Sequence, residues 1–340
     1  MLSSLRDGFR SLGRNWGLVV LVLVVNLALA LLLAAPLALQ LERDLSRTGA
    51  SGTMMYGFDY DWWTEWSERQ EGPSSTFAPD VFGPGLAFKN LDLLLRGEVP
   101  LGIFPRGGDG ESERPDGMAA PSVAPLVLGI GALYLLVQVF LTGGLLGAFR
   151  APQGGWTFRG LVHGSGFYFG RLLRVSLLAL GLAGIVFALN VPFARWVDAL
   201  AREAVSERTA LALGLGRHAL LLLALLLVHM VASFARVLVV QEERQSAALA
   251  LLSSAGFCAR NLVAALGQYG VVLVGGVLLL ASWAAFDARF EVSGWKSQLV
   301  MFAVFQAFLF GRIALRLGLL ASQLELRRAR AGTVETPEEP

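Results

Sequence analysis

Residues 218–286 read HALLLLALLLVHMVASFARVLVVQEERQSAALALLSSAGFCARNLVAALGQYGVVLVGGVLLLASWAAF. Ala219 to about Val240 and Leu262 to Phe286 are apolar runs of about twenty residues or more, long enough at ~1.5 Å per residue to cross a ~30 Å hydrocarbon core. Between them, Gln241–Asn261 is too polar to cross and too apolar to float as a solvated loop. It predicts an amphipathic elbow lying on the membrane surface. A helix–elbow–helix module of this kind predicts an all-α, polytopic membrane protein.

Composition agrees. Hydrophobic residues make up 55% of the chain and charged residues 16%, with mean hydropathy +0.59, outside the range of soluble domains. A net charge of +2 is too small to point to nucleic acid. The single cysteine, Cys258, excludes an internal disulfide and cannot build a structural metal site. His163, His218 and His229 are the only histidines, and none belongs to a zinc-hydrolase pattern. There is no Gly-x-Ser-x-Gly turn and no phosphate-binding loop. Gly214 opens GLGRHA, which matches a dinucleotide-binding glycine pattern by chance, because no strand leads into it. No cofactor and no catalytic residue is expected. Arginine supplies every basic residue except Lys89 and Lys296, a usage that suggests a GC-rich bacterium and hence its cytoplasmic (inner) membrane.

Outward from the module, residues 1–16 form a basic lead-in with Arg6, Arg10 and Arg14, followed by a first span over 17–41. A cleaved signal peptide also begins with basic residues, but its apolar core is shorter than this one. Residues 42–121 are polar, acidic and rich in Gly and Pro, an extracytoplasmic loop. Two stretches of it have helical pattern: the segment with Trp62, Trp63 and Trp66, and PGLAFKNLDLLLRG (84–97) with Leu91, Leu94 and Leu95. Both are read as short helices on the outer membrane surface, with 100–121 as linker. The acidic residues Asp59, Asp61, Glu65 and Glu68 are read as a solvated face. The region 122–322 holds five more spans, near Val123–Phe149, Val175–Phe193, Ala219–Val240, Leu262–Phe286 and Ser297–Ala321, and 323–340 is a cytoplasmic tail.

Basic residues set the orientation. Segments assigned to the inside carry Arg6, Arg10, Arg14, Arg150, Arg159, Arg171, Arg174, Arg236, Arg244, Arg260, Arg327, Arg328 and Arg330. The two short outer loops carry Arg195, Arg202, Arg208, Arg289 and Lys296. This asymmetry places both termini in the cytoplasm. Trp16, Trp156, Trp196, Trp283 and Trp295 lie near span ends or in an elbow, as in an interfacial belt. Each odd span follows a similar lead-in: FRSLGRNW, GFYFGRLL and GFCARNLV. These predict three repeated elbow-plus-hairpin units. Gly143 and Gly147 form a Gly-x-x-x-Gly pair suited to close helix packing.

No Asp or Glu falls within any span, which disfavours a proton-driven transporter. The polar groups that do fall within spans are His229, Ser233 and Arg236 on one helical face, and Gln306, Arg312 and Arg316 in the last span. Near the inner end an arginine can snorkel, so a structural role competes with a functional one. The elbow adds Glu243, Arg244, Ser246 and Arg260. Phe234, Ala235 and Arg236 followed by Glu243, Arg244 and Ser246 resemble a segment of bacterial six-helix membrane proteins of uncharacterised function. The aromatic-acidic stretch Phe58–Trp66 is similar to theirs too. The chain also resembles the membrane regions that precede glycerophosphodiester phosphodiesterase domains, without such a domain. This resemblance implies a fold and a location and transfers no activity. The expected function is non-enzymatic: a partner-binding or permease-like subunit whose partners are the bilayer and other membrane proteins. The alternative is a transporter or binder of a lipid or other amphipath.

Overall fold

The computed structural model describes residues 2–48, 52, 59–69, 125–150, 156–204, 206–290 and 294–331. The surface helix expected over 84–97, the linker 100–121 and the end of the tail lie outside them. The described residues form helices and no strand: α1 (Leu2–Arg14), α2 (Gly17–Thr48), α3 (Tyr60–Glu68), α4 (Pro125–Arg150), α5 (Phe158–Glu203), α6 (Glu207–Gln241), α7 (Ala247–Arg260), α8 (Leu262–Asp287) and α9 (Trp295–Ala331). Among them, α4, α5, α6, α8 and α9 are each long and apolar enough to cross a membrane. A sixth span is reached if α1 and the start of α2, bent by 72°, count as one. The fold is an all-α polytopic bundle.

The chain divides into two compact units, one of residues 1–22, 136–278 and 310 onward, the other of 23–135 and 279–309. The first unit is built on a thrice-used contact. On α1, Ser4, Leu5, Gly8, Ser11 and Leu12 are buried, and on α7, Ala250, Leu251, Ser254, Phe257 and Cys258 are buried. These positions stand at the same distances ahead of Asn15 and Asn261. At matching distances ahead of Leu172, α5 buries Leu161, Ser165 and Tyr168. The lead-in repeat is therefore visible in packing.

Each lead-in lies against the returning helix that precedes it in the chain, and α1 lies against α9, the last. A Cβ on Gly8 would stand 2.5 Å from the backbone N of Ser322, and one on Gly144 would stand 2.3 Å from the carbonyl O of Leu161. On α7, Ser254 Oγ donates to the carbonyl of Val231 at 2.8 Å, and Phe257 packs on Phe234 with centroids 5.4 Å apart. The close pair in α4 is thus Gly143 and Gly144, which approach Gly164, Leu161 and Ser165, whereas Gly147 has open space. This corrects the expected Gly143/Gly147 pair.

The second lead-in differs from expectation. α5 runs unbroken over 46 residues, with no elbow before its span. At the other two breaks an asparagine follows the arginine. Asn15 Nδ2 donates to the carbonyl of Ser11 at 2.9 Å, and Asn261 Nδ2 to that of Phe257 at 3.0 Å. Such local side-chain bonds compete with the helix ladder and favour an end. Leu172 stands at the third position, cannot form this bond, and is completely buried. α9 likewise outruns its expected end, reaching Ala331 because Leu324 and Leu326 are buried in the bundle.

In the second unit α2 extends to Thr48 and receives α3. Asp59 caps α3 by accepting from the Trp62 backbone N–H at 3.0 Å. Trp62 stacks on Trp66 at 5.5 Å. Trp66 Nε1 donates to Asp44 at 2.9 Å, and Trp62 Nε1 to Thr48 at 3.0 Å. A half-buried indole needs such an acceptor, which fixes α3 on the end of α2. Trp283, four residues before the end of α8, is buried against Phe305 and Phe308.

Replacing Gly144 by Ala should destabilise the purified protein by about 1–3 kcal/mol, because the rigid Leu161 carbonyl cannot yield to the new methyl. Gly147→Ala, with open space around it, should leave the thermal midpoint in detergent almost unchanged. Equal midpoints for both variants would disprove the close contact.

Candidate functional site

The polar residues singled out on α6 converge with others on one cavity in the first unit. His229, Ser233 and Arg236 reach it because spacings of four and three residues keep one helical face. α9 contributes Arg316, and α4 contributes Gln138 and Thr142. About 70 Å³ is open to the centre of a water-sized sphere. Gln306 belongs to the second unit. Arg312 and Arg316 are both exposed, and only Arg316 lines the cavity. Arg312 shares a face with Arg316 but stands one turn away, about 6 Å farther along the helix axis at ~1.5 Å per residue.

A hydrogen-bonded chain supports the cavity wall. Ser233 Oγ donates to Gln323 Oε1 at 2.6 Å, Gln323 Nε2 donates to Tyr269 Oη at 3.3 Å, and Tyr269 Oη lies 3.0 Å from His229 Nδ1. Tyr269 Oη can either donate to Nδ1 or accept a second bond from it, and the His229 tautomer follows that choice. Arg316 Nη1 donates to Gln138 Oε1 at 3.2 Å, and Thr142 Oγ1 donates to the Gln138 carbonyl at 2.7 Å. Gln138, Thr142, Tyr269 and Gln323 were missed from the sequence. Gln138 and Thr142 stand one turn apart in an apolar run, a spacing that could have marked them, whereas Tyr269 and Gln323 adjoin Gln268 and Ser322 and are distinguished by burial. Chemically the cavity offers hydrogen-bond donors and fixed positive charge. It holds no group of three or more metal ligands among the described residues and no paired acid and base.

Compared with known proteins, the chain matches no family model, no curated protein and no solved structure. Its site is read from its own residues.

The elbow residues form a second cluster, at the ends of α4, α6 and α9. Glu243 bonds Arg150 through its carboxylate at 3.0 Å, and its carbonyl accepts from Arg171 at 3.3 Å. It holds φ at 53°, a left-handed conformation costly for a non-glycine residue and here held by two arginines. Arg150 also donates to the Val240 carbonyl at 3.1 Å. Glu242 receives Arg244 and Arg327, each at 2.7 Å. Arg244 also donates to Ser253 at 2.6 Å, and Ser246 caps α7 through the Leu249 N–H at 3.3 Å. Arg260 is exposed. Glu243, Arg244 and Ser246 are thus engaged within the chain.

Burial pushes the Glu242 carboxyl up, but hydrogen bonds from Arg327 and Arg244, with their charges, outweigh it and hold the group below the usual glutamate range. A depressed folded-state pKa stabilises the fold above the unfolded pKa, and that stabilisation is lost as pH falls through the folded value. Glu242→Gln should therefore lower the thermal midpoint at neutral pH, with the gap closing on acidification. A gap that persists in acid would mean that the ion pairs contribute nothing. Cys258 is buried, which pushes its thiol up to about 11. Since the thiolate is the nucleophile, a maleimide should label Cys258 in the unfolded protein and leave the native protein almost unlabelled at pH 7. Rapid native labelling would show that α7 is not docked.

Proposed function

We propose that this chain is a non-enzymatic, multi-pass membrane protein whose intramembrane cavity binds an amphipathic small molecule. The observation that carries the reading is the two-faced lining. Gln138, Ser233 and Arg236 supply polar groups, and Leu145, Ile313 and Leu317 supply an apolar wall. A site with an apolar surface and a few convergent polar groups is the usual form of a small-molecule site. Polar residues within spans are expensive and mark such places. A role as a partner-binding or permease-like subunit is the second reading. The elbow supports it less, because Glu243, Arg244 and Ser246 bond within the chain.

The orientation we favour puts the arginine-bearing elbow and both termini in the cytoplasm, in the inner membrane of a bacterium. Arg150, Arg171, Arg244 and Arg327 gather at the elbow. Across α5 and α6, Arg217 is neutralised by Asp198 at 2.8 Å. Exposed Leu249 and Leu252 on α7 suit a helix resting in the interface. The resemblance to six-helix bacterial membrane proteins supports the same placement.

Gentle solubilisation followed by native mass spectrometry tests the reading. The parent protein should retain a small amphipath near one per chain, and Thr142→Phe, which fills the cavity, should retain at least tenfold less. A stoichiometric protein companion, with bound amphipath the same in both forms, would favour the partner-subunit reading instead.

A further inference from the structure

The cavity carries positive charge that nothing in its wall balances. Arg236 and Arg316 both line it, and no Asp or Glu does. Arg236 Nε is buried and has no hydrogen-bond partner among the described residues. Arg316 bonds the neutral amide oxygen of Gln138, which supplies no countercharge. Escape to the interface would relieve an arginine near a helix end. It does not relieve Arg236, because Phe234, Ala235, Val237, Leu238, Val239 and Val240 around it are all buried. Arg236 is half-buried with its Nε enclosed and forgoes hydration there, and the exposed Arg316 on the same cavity adds a like charge. An opposing charge with hydrogen bonds would offset both costs.

We infer that Arg236 and Arg316 form an anion site that receives the phosphate or carboxylate head of the amphipath. The inference rests on the amphipath reading above and narrows it to anionic ligands. Guanidinium forks match both head groups. The volume admits a head group: about 70 Å³ holds roughly five water-sized positions at about 10–15 Å³ each. A chain attached to the head must leave along the apolar wall, past Leu145, Ile313 and Leu317.

Native mass spectrometry and equilibrium titration in a neutral detergent separate the outcomes, with three probes. These are a phosphatidic acid, the diacylglycerol with the same chains, and inorganic phosphate. Phosphatidic acid should bind at least tenfold tighter than the diacylglycerol. Arg236→Gln and Arg316→Gln should each abolish most of that preference, and Arg236→Lys should keep part of it. Arg312→Gln, off the cavity, should change nothing, and melting curves confirm that each variant folds. Equal affinity for phosphatidic acid and diacylglycerol overturns the anion site while leaving the amphipath reading intact. Inorganic phosphate that binds as tightly and displaces phosphatidic acid keeps the anion site and overturns the amphipath reading. Preference for phosphatidic acid unchanged in both glutamine variants overturns the assignment to these arginines, and no binding of any probe overturns both.

Discussion

The first unit depends on helices being allowed to touch backbone to backbone. Gly8 lies against Ser322, Gly144 against the Leu161 carbonyl, and Ser254 against the Val231 carbonyl. In a bilayer, apolar side chains gain little by leaving lipid for protein, so dispersion at close range and buried hydrogen bonds must hold helices together. Small residues at these three places let both terms act. A larger residue would push the helices apart and lose the many short contacts that a distance of 1 Å already weakens.

That contact also explains how the ends of the chain are joined. α1 is the lead-in of the first span, yet its partner is the last helix. Gln268 Nε2, in α8, donates to Ser4 Oγ at 3.3 Å and to the Ser322 carbonyl at 2.9 Å, and Ser322 Oγ donates to the Gly318 carbonyl at 2.7 Å. Gln268 and Ser322 are both completely buried. A single glutamine thus ties the first, eighth and ninth helices where water is excluded and an unmade bond is expensive. Sequence distance conceals this, since Ser4 and Gln268 belong to opposite ends of the chain.

What could be read from sequence follows from the range of each signal. Apolar runs identify spans because the bilayer fixes their length, and α4 and α8 fall within a few residues of the expected spans, whereas α6 begins at Glu207, twelve residues before the expected Ala219. Local chemistry marks the breaks at Asn15 and Asn261, but the continuity of α5 required noticing a leucine where those two have asparagine. The face of α6 was legible because His229, Ser233 and Arg236 repeat at helical spacing. Arg312 and Gln306 were grouped with Arg316 by proximity along α9, although a turn of axial displacement removes the first and membership of the second unit removes the other. Gln138 and Thr142 share the same spacing of four, but no charged group draws attention to it. The ion pairs of the elbow were illegible for a different reason: Arg150 and Glu243, or Arg327 and Glu242, are united only by the fold.

The elbow and the cavity share α6, and this constrains what either can do. The turn at Glu242–Ser246 is fixed by Arg150 and Arg171 on one side and by Arg327 on the other. Arg327 also sits over the Phe257 ring, 4.8 Å from its centroid, tying α9 to α7. The last turns of α6 are therefore held from three directions, and Arg236 is carried on them. Exposed ion pairs contribute little singly, but here they fix the rotation of a buried helix end. Rotation by one residue, about 100°, would take Arg236 out of the cavity and put Val237 in its place. The charged lattice at the elbow thus sets which side chain the cavity presents, and the chemistry of the cavity depends on a cluster that does not line it.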